Sequence, residues 1–232
     1  MDASVSVVVP AWNEERTIAA TLTALHRIRG AAGKPLWSEL IVVDDGSTDR
    51  TADEAAGLAT VVIEHANRLG KGAAMRTGWM RAQGEIVLFA DADLGASAVH
   101  LAELLAPLRS GEADMAIARF AAPAVNGGFG FVKRFAGNGI FRLTGLKVEA
   151  PLSGQRAVRS QLLRQFDRLP EGFGIEVGMT IDAARLGCRI CEIPLPLQHR
   201  ETGKSLSGFW HRGSQMIDIS RTMLARWRKP VR

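Results

Sequence analysis

Two aspartates separated by one residue follow a strongly apolar segment in the first half of the chain. Ile86–Phe89 has residues typical of a strand buried on both faces, and Asp91 and Asp93 come just after it. Residues that follow such a strand lie at its carboxyl end, where open α/β sheets bind their ligands. Two carboxylates so close repel each other unless a cation offsets their charge. An isolated pair of this kind lies more often in a solvated loop. The two carboxylates are nevertheless suited to coordinate Mg²⁺ or Mn²⁺ that also binds a diphosphate.

The composition is that of an ordinary soluble globular protein. The 232 residues are 47% hydrophobic and 23% charged, which suits one large domain or one domain with an appendage. No apolar segment approaches the roughly 20 residues of a membrane-spanning helix, and the N-terminus has no signal-peptide pattern. Secretion is therefore not expected, and Cys188 and Cys191 are predicted to be reduced structural thiols in the cytoplasm.

Short apolar segments alternate with helical patterns along the chain. This alternation predicts an α/β fold with a mostly parallel central sheet flanked by helices. Pro10 is expected to end the first strand because it cannot donate to a ladder, and Asn13 is expected to cap a helix beginning near Glu14. The predicted strands are residues 5–9, 40–43, 61–63, 86–89, 115–118 and 190–197.

Several helices and loops are predicted in the second half of the chain. Residues 99–108 have helical periodicity, residues 121–130 form a glycine-rich loop, and residues 153–157 form a turn before a helix. Another helix is predicted from residue 172 to residue 187. Lys133 and Arg134 lie in a helical stretch, and from the residues alone they form either a phosphate-binding face or a solvated one.

A lysine flanked by glycines opens a predicted helix. Lys71 lies between Gly70 and Gly72, where backbone N–H groups at the helix start would favour a phosphate. The spacing is neither that of a P-loop nor that of a dinucleotide-binding turn. By itself the motif is a weak indication of phosphate binding.

The last part of the chain is predicted to be a separate amphipathic, basic helix. We divide the sequence into a main domain, residues 1–205, and this tail, residues 206–232. Apolar residues recur at mostly helical spacing among arginines, which suits either contact with a membrane surface or packing on the main domain.

Four short motifs occur in a fixed order at predicted strand ends and helix starts. They are VPAWNEE at 9–15, VDDGSTD at 43–49, GKG at 70–72 and DAD at 91–93. Together they resemble glycosyltransferase family 2, whose members have the GT-A fold, and the resemblance extends over residues 5–206. It implies that the chain transfers a hexose from a nucleotide sugar of the GDP-mannose or UDP-glucose type.

The resemblance implies where the donor and a metal ion would bind. Asp44 or Asp45 would contact the base, and Lys71 would lie near the base or the diphosphate. The metal, Mg²⁺ or Mn²⁺, would stabilise the charge of the leaving nucleotide. The implied donor contacts are Pro10, Ala11, Asn13, Glu14, Asp44, Asp45, Lys71, Asp91 and Ala92, and the implied metal ligands are Asp91, Asp93 and His199.

Basic residues in the second half resemble the acceptor site of dolichyl- or polyprenyl-phosphate sugar synthases. A phosphate acceptor is already anionic, so the enzyme needs no strong general base to remove a proton from it. Cationic side chains would position the acceptor instead. The implied acceptor contacts are Arg119, Lys133, Arg134, Ser153, Arg200 and Lys204, and the implied catalytic residues are Asp93, Arg119, Arg134 and Glu176. The enzyme would then work in the cytoplasm, peripherally at the inner face of the membrane.

A second branch of the family remains open. Residues 172–178 and His199 resemble glucosyl-3-phosphoglycerate synthases, in which the acceptor is small and soluble. Ala150 and Gly95 depart from the lipid-phosphate pattern, and the loss of a polar residue at Gly95 favours His199 as a ligand. A nucleotide-sugar-binding protein without activity is the third alternative. No nucleic acid partner is expected, and homo-oligomerisation is left open.

Overall fold

The computed structural model describes residues 3–30, 33–120, 129–166, 169–170, 172, 174–198 and 206–227. Side chains are described throughout these ranges except at 129 and 206–215. The predicted loop 121–130 lies mostly outside them.

A seven-stranded sheet forms the centre of the molecule. Its order is β3-β2-β1-β4-β6-β5-β7, and all neighbouring strands are parallel except that β6 runs antiparallel to both β4 and β5. The predicted mostly parallel α/β sheet is therefore confirmed. The strands are Val5–Ala11 (β1), Glu39–Asp44 (β2), Val61–Glu64 (β3), Ile86–Phe89 (β4), Met115–Phe120 (β5), Arg156–Arg159 (β6) and Ile190–Leu195 (β7).

Helices cover both faces of the sheet. One face packs against α1 and a 3₁₀ segment, Gly95–Leu105, and the other against α3, α6 and α7. Helices α5 and α8 pack on α7 through a third apolar cluster. The helices are Ile18–His26 (α1), Thr51–Ala55 (α2), Lys71–Arg81 (α3), Ala106–Arg109 (α4), Phe129–Thr144 (α5), Ser160–Leu163 (α6), Ile175–Arg185 (α7) and Leu206–Trp227 (α8).

The start of the chain differs from the prediction in two places. Pro10 lies inside β1, paired with Val43 of β2. The strand continues because β4 pairs with β1 only as far as Val8, so no ladder bond from residue 10 is lost on that side. Helix α1 begins at Ile18, and Asn13 does not cap it, because its side-chain oxygen accepts from the backbone N–H of Thr48 instead.

Two elements in the second half also differ from the prediction. The last two residues of the predicted turn 153–157 belong instead to β6, which pairs between β4 and β5. Its short Arg-Ala-Val-Arg sequence carries no strand pattern of its own. The segment predicted as a helix from residue 99 is largely 3₁₀. Ala98, Leu101 and Leu104 are all buried there, and their three-residue spacing keeps them on one side of a 3₁₀ turn.

The two cysteines are free and partly buried on opposite faces of the sheet. Cys188 packs against the core on the face that α7 covers, and Cys191 packs against the core on the face that α1 and the 3₁₀ segment cover. Burial is the main reason that the pKa of each thiol is raised. In the described part of the chain, no helix is long and apolar enough to cross a membrane.

Candidate functional site

The order of the strands reverses between β1 and β4. Going outward from β1, the chain adds β2 and β3 on one side, then returns to place β4 on the other. Such a switch point leaves a crevice at the carboxyl ends of the strands, which is the usual ligand site of open α/β sheets. Asn13, Asp44 and Asp91 follow or end β1, β2 and β4, so the predicted motifs converge at this edge.

A cluster of charged side chains lies at the end of β4. The amino group of Lys71, at the start of α3, is 2.8 Å from a carboxylate oxygen of Asp91 and 3.1 Å from one of Glu176, at the start of α7. Burial alone would lower the pKa of Lys71, but the two carboxylates outweigh it and raise that pKa. Lys71 therefore stays charged and joins three elements around one point.

A buried arginine supports this cluster from behind. Arg156, on β6, donates to the backbone carbonyls of Ser153 and Glu176 at 3.2 and 3.1 Å. Its pKa is lowered to about 10 by burial, against the attraction of Glu176, Asp91 and Glu192. The arginine thus ties the turn before β6 to the first turn of α7.

Gly154 lets that turn approach the charged cluster closely. A Cβ at this position would lie 2.5 Å from the Lys71 amino nitrogen and 2.9 Å from a carboxylate oxygen of Asp91. Both distances are shorter than real Cβ contacts, so only glycine fits without moving the pair. Ser153, predicted to contact an acceptor phosphate, is buried, and its hydroxyl donates to the side-chain oxygen of Gln155 at 3.3 Å.

The turn after β4 is held by a hydroxyl from α1. Thr21 donates to the backbone carbonyl of Ala92 at 2.8 Å and accepts from the N–H of Gly95 at 2.8 Å. Ala92 is buried, so it offers its backbone rather than a side chain. This bracing leaves Asp91 and Asp93, on either side of Ala92, partly exposed at the crevice.

The two aspartates at the end of β2 are buried and engaged within the protein. Asp44 accepts from the backbone N–H of Ser47 at 3.0 Å. Asp45 accepts from His65 at 2.9 Å and from the N–H groups of Leu69 and Gly70 at 2.9 and 2.7 Å. Asp45 therefore fixes the loop that leads directly into Lys71, a function that its sequence motif did not indicate.

The residues after β1 form a polar rim beside Asp44. Asn13 has a positive φ of 56°, and its backbone N–H donates to the Ser47 hydroxyl at 2.8 Å. The N–H of Glu14 donates to the Thr51 hydroxyl at 2.8 Å. Pro10 and Ala11 are the last two residues of β1, and Ala11 is buried beside Asp44.

An aromatic ring and a cation stack on this rim. The guanidinium of Arg68 lies 3.5 Å from the centre of the exposed Trp12 ring. Such stacking is favourable, particularly for arginine on tryptophan. Arg68 was not among the residues selected from the sequence, although its position three residues before Lys71 was a usable signal.

The predicted acceptor residues are placed only in part by the structure. Arg119, at the end of β5, forms an ion pair with Glu149. Lys133 and Arg134 are exposed on α5. His199, Arg200 and Lys204 lie outside the described residues, so the predicted third metal ligand is not placed.

The donor chemistry at the end of β4 suits a hard divalent cation. Asp91 and Asp93 offer carboxylate oxygens, which Mg²⁺ and Mn²⁺ prefer. Across the described ranges, no group of three His, Cys, Asp or Glu side chains is gathered for a metal. Two protein carboxylates remain sufficient when a diphosphate supplies further oxygens, which is how Mg²⁺ is commonly held.

A separate cavity of about 330 Å³ opens between α3 and α6. Its lining includes Trp79, Leu163 and the side chains of Arg76 and Arg164. None of the residues selected from the sequence lines it. We therefore place the candidate site at the carboxyl edge of the sheet, where the charged cluster lies.

Comparisons with known proteins agree on the family. The sequence model described as glycosyl transferase family 2 matches residues 6–169. An undecaprenyl-phosphate mannosyltransferase of Micrococcus luteus is 31% identical over 96% of this chain and 96% of its own. A glucosyl-3-phosphoglycerate synthase of Mycobacterium tuberculosis is 31% identical over 79% of this chain and only 62% of that relative.

Solved structures agree on the fold. The Mycobacterium tuberculosis glucosyl-3-phosphoglycerate synthase, in complex with Mn²⁺, UDP and glucosyl-3-phosphoglycerate, matches with a TM-score of 0.79 and 28% identity, over 98% of this chain and 81% of that one. The same synthase with Mg²⁺ and UDP matches with a TM-score of 0.80 and 30% identity, over 98% and 80% of the two chains. The predicted GT-A fold is confirmed. The chain belongs to glycosyl transferase family 2, and it is a glycosyltransferase.

Proposed function

We propose that the chain transfers a hexose from a nucleotide sugar to the phosphate of a polyprenyl phosphate, with Mg²⁺ or Mn²⁺. The convergence of Asp91, Asp93 and Lys71 at the switch point carries the donor half of this proposal. The acceptor half is supported by the mannosyltransferase of Micrococcus luteus, which aligns over almost the whole of both chains.

In this proposal the residues of the cluster bind and orient the donor. Asp91 and Asp93 would hold the cation, which when bound would offset the charge of the diphosphate as a Lewis acid. Lys71, charged and anchored by Glu176, would hold the diphosphate side of the crevice. Asn13 and Glu14 would line the nucleotide pocket.

The transfer itself needs little proton chemistry from the protein. An oxygen of the acceptor phosphate would form the new bond to the anomeric carbon, and the nucleoside diphosphate would leave with the electron pair of the broken bond. Arg119, Arg134 and Lys133 would orient the acceptor phosphate, since guanidinium groups match phosphate oxygens well. The protein would be attached peripherally to the inner face of the membrane, where this acceptor is found.

A small soluble acceptor is the second candidate. It is favoured by the TM-score of 0.79 to the synthase bound to UDP-glucose and phosphoglyceric acid, over 98% of this chain. In that case His199 would complete the metal site, and α8 would serve only for packing.

One assay separates the two candidates. The purified chain, Mn²⁺ or Mg²⁺ and labelled UDP- or GDP-hexoses would be incubated with polyprenyl phosphate and 3-phosphoglycerate together. We expect label in the organic phase and none after chelation of the metal. Label on a water-soluble anion would instead support the second candidate, and turnover in the presence of the chelator would overturn the metal proposal.

A substitution tests the acceptor site separately. Arg134→Ala should raise the KM for the phosphate acceptor by about tenfold or more, since a charge-assisted hydrogen bond is lost. The KM for the donor should change little. Arg81→Ala, at an exposed arginine on α3, is the control. Equal increases in both KM values would contradict the assignment of Arg134.

A further inference from the structure

Helix α5 has an exposed face that is both aromatic and basic. Phe131, Phe135 and Phe141 are exposed, and Phe131 is 59% exposed. Arg134 and Arg142 lie among them at three- and four-residue spacing, so these side chains share one side of the helix. The opposite side of α5 carries the buried residues of the third apolar cluster. The exposed phenylalanines are therefore not part of any core.

Helix α8 repeats the same arrangement. Ile217, Leu224 and Trp227 are exposed, and Trp227 is 68% exposed. Their spacing places them on one side of the helix, together with the exposed Arg221. Ile219 and Met223 point inward to the third cluster. Like α5, this helix buries one apolar face and leaves another uncovered.

The two exposed faces adjoin each other. Gly139 of α5 lies directly against the Met223 side chain of α8, so the helices are in close contact. Both helices also turn their buried residues toward α7. Their uncovered sides consequently point away from α7 and form one surface, which we call the α5–α8 face. It is defined by Phe131, Phe135, Phe141, Ile217, Leu224 and Trp227.

The positive charge of the α5–α8 face indicates which kind of partner it would bind. Helix α5 has no acidic residue, and Lys133, Arg134 and Arg142 are exposed on it. The amino group of Lys147 lies 5.9 Å from the centre of the Phe141 ring and adds a further cation. A second copy of the chain would bring like charges together at a two-fold interface. An anionic lipid surface would instead attract them, and it also accepts aromatic side chains at its boundary.

We propose that the α5–α8 face docks on an anionic lipid bilayer, with the aromatic side chains at the headgroup boundary and the basic residues on lipid phosphates. Phe131, Arg134, Phe135 and Asn138 line a groove of about 290 Å³ on this face. Its lining thus combines a cation with two phenyl rings, which suits an anionic headgroup with attached acyl chains. The inference rests on the proposed lipid acceptor, and it places the surface on α5 as well as on the predicted tail.

Vesicle sedimentation with the full chain tests this. The protein is mixed with vesicles of phosphatidylcholine alone or with phosphatidylglycerol, at low and high salt. We expect binding to the anionic vesicles that weakens with salt. The double substitution F131S/F141S should weaken it by at least about tenfold, because two apolar anchors are removed. The matched control is M80S/V99S, two exposed apolar residues elsewhere on the surface, which should bind as the unaltered chain does.

The experiments test the proposed docking surface and the proposed acceptor independently. Circular dichroism and turnover with a water-soluble short-chain prenyl phosphate should be the same for F131S/F141S and the unaltered chain. Binding that F131S/F141S retains in full, or no binding by any variant, would overturn the proposed surface. So would a dimer in analytical ultracentrifugation that F131S/F141S converts to a monomer. Anionic vesicle binding without transfer to any prenyl phosphate would support the surface and refute the acceptor.

Discussion

The protein has two pairs of aspartates at the carboxyl ends of β2 and β4, on either side of β1, and their surroundings differ. Asp44 ends β2 and Asp45 follows it, and they are only 4% and 3% exposed. Their carboxylates accept from backbone N–H groups, Ser47 and His65. Asp91, after β4, has a side chain that is 21% exposed and is paired with the amino group of Lys71. Both pairs lie at the end of a buried strand, yet the first, which we call the closed pair, is buried among protein donors, and the second, the accessible pair, is partly exposed.

The difference shows how one residue type performs two tasks at the same edge of a sheet. A carboxylate surrounded by backbone donors holds loops in place, because each N–H removed from water needs an acceptor. A partly exposed carboxylate whose partner is a side chain can exchange that partner for a ligand. We infer that Asp45 positions Lys71 through the loop that it braces, and that Asp91 and Asp93 meet the donor.

The accessible pair should give the largest effect on activity. Asp93→Ala should lower turnover by about a thousandfold or more, because charge stabilisation at the leaving group is lost. The melting temperature should change little, since Asp93 is partly exposed. Labelled-sugar transfer and differential scanning calorimetry measure the two quantities. A variant that kept normal turnover would remove Asp93 from the metal site.

The closed pair should show the reverse pattern. Asp45→Ala should lower the free energy of unfolding by about 3 kcal/mol, because His65 and two backbone N–H groups lose a buried charged acceptor. Urea titration measures this, with Asp53→Ala, at an exposed position on α2, as the control. If stability were unchanged and only donor affinity fell, Asp45 would be a ligand contact and the comparison would fail.

A single methyl group can disturb the ion pair between Lys71 and Asp91 without removing a charge. Gly154→Ala would place a Cβ against the Lys71 amino group and Asp91, so the pair must shift. We expect turnover to fall by about a hundredfold, in line with the cost of small misplacements in active sites. Gly57→Ala is a contrasting variant, in which a Cβ meets nothing but the φ of 77° is strained. It should lower stability modestly and leave the kinetics unchanged.

The smallest predicted effect, on stability, concerns Asp114, which directly precedes β5 at the end of the strand away from the candidate site. A hydrogen bond from Arg189, assisted by its charge and that of Arg159, lowers the pKa of Asp114 despite partial burial. Ionised Asp114 therefore stabilises the folded state at neutral pH, and this contribution is lost as pH falls through the lowered pKa. The difference in unfolding free energy between Asp114→Asn and the unaltered chain should shrink from pH 7 to pH 3. A constant difference would contradict the linkage.

Much of this fold follows from the local sequence. The strands β1, β2 and β4 are apolar runs, and three of the four motifs lie at their carboxyl ends. β6 could not be recognised, because its residues form a strand only through pairing with β4 and β5 on both sides. Its identity as a strand is set by tertiary contacts rather than by propensity.

The charged cluster was predictable in its parts but not in its connections. Lys71, Asp91 and Glu176 were all selected, yet nothing in the sequence indicates that one amino group joins the two carboxylates. Neither Arg156 nor His65 was predicted to be a site residue. Each has partners on other elements, so their functions depend on distances in space that no local pattern encodes.

The antiparallel β6 also affects how the sheet can assemble while the chain is being synthesised. Strands β1 to β4 are complete once residue 89 has been synthesised, but one edge of β4 then awaits β6, its neighbour on that side in the described sheet. An unpaired edge invites pairing with other chains until the remaining sequence arrives. The growing chain on the ribosome should therefore pass through an aggregation-prone stage that ends near residue 159. Aggregation would be compared between ribosome-bound chains stalled at residue 120, within that stage, and at residue 166, after it.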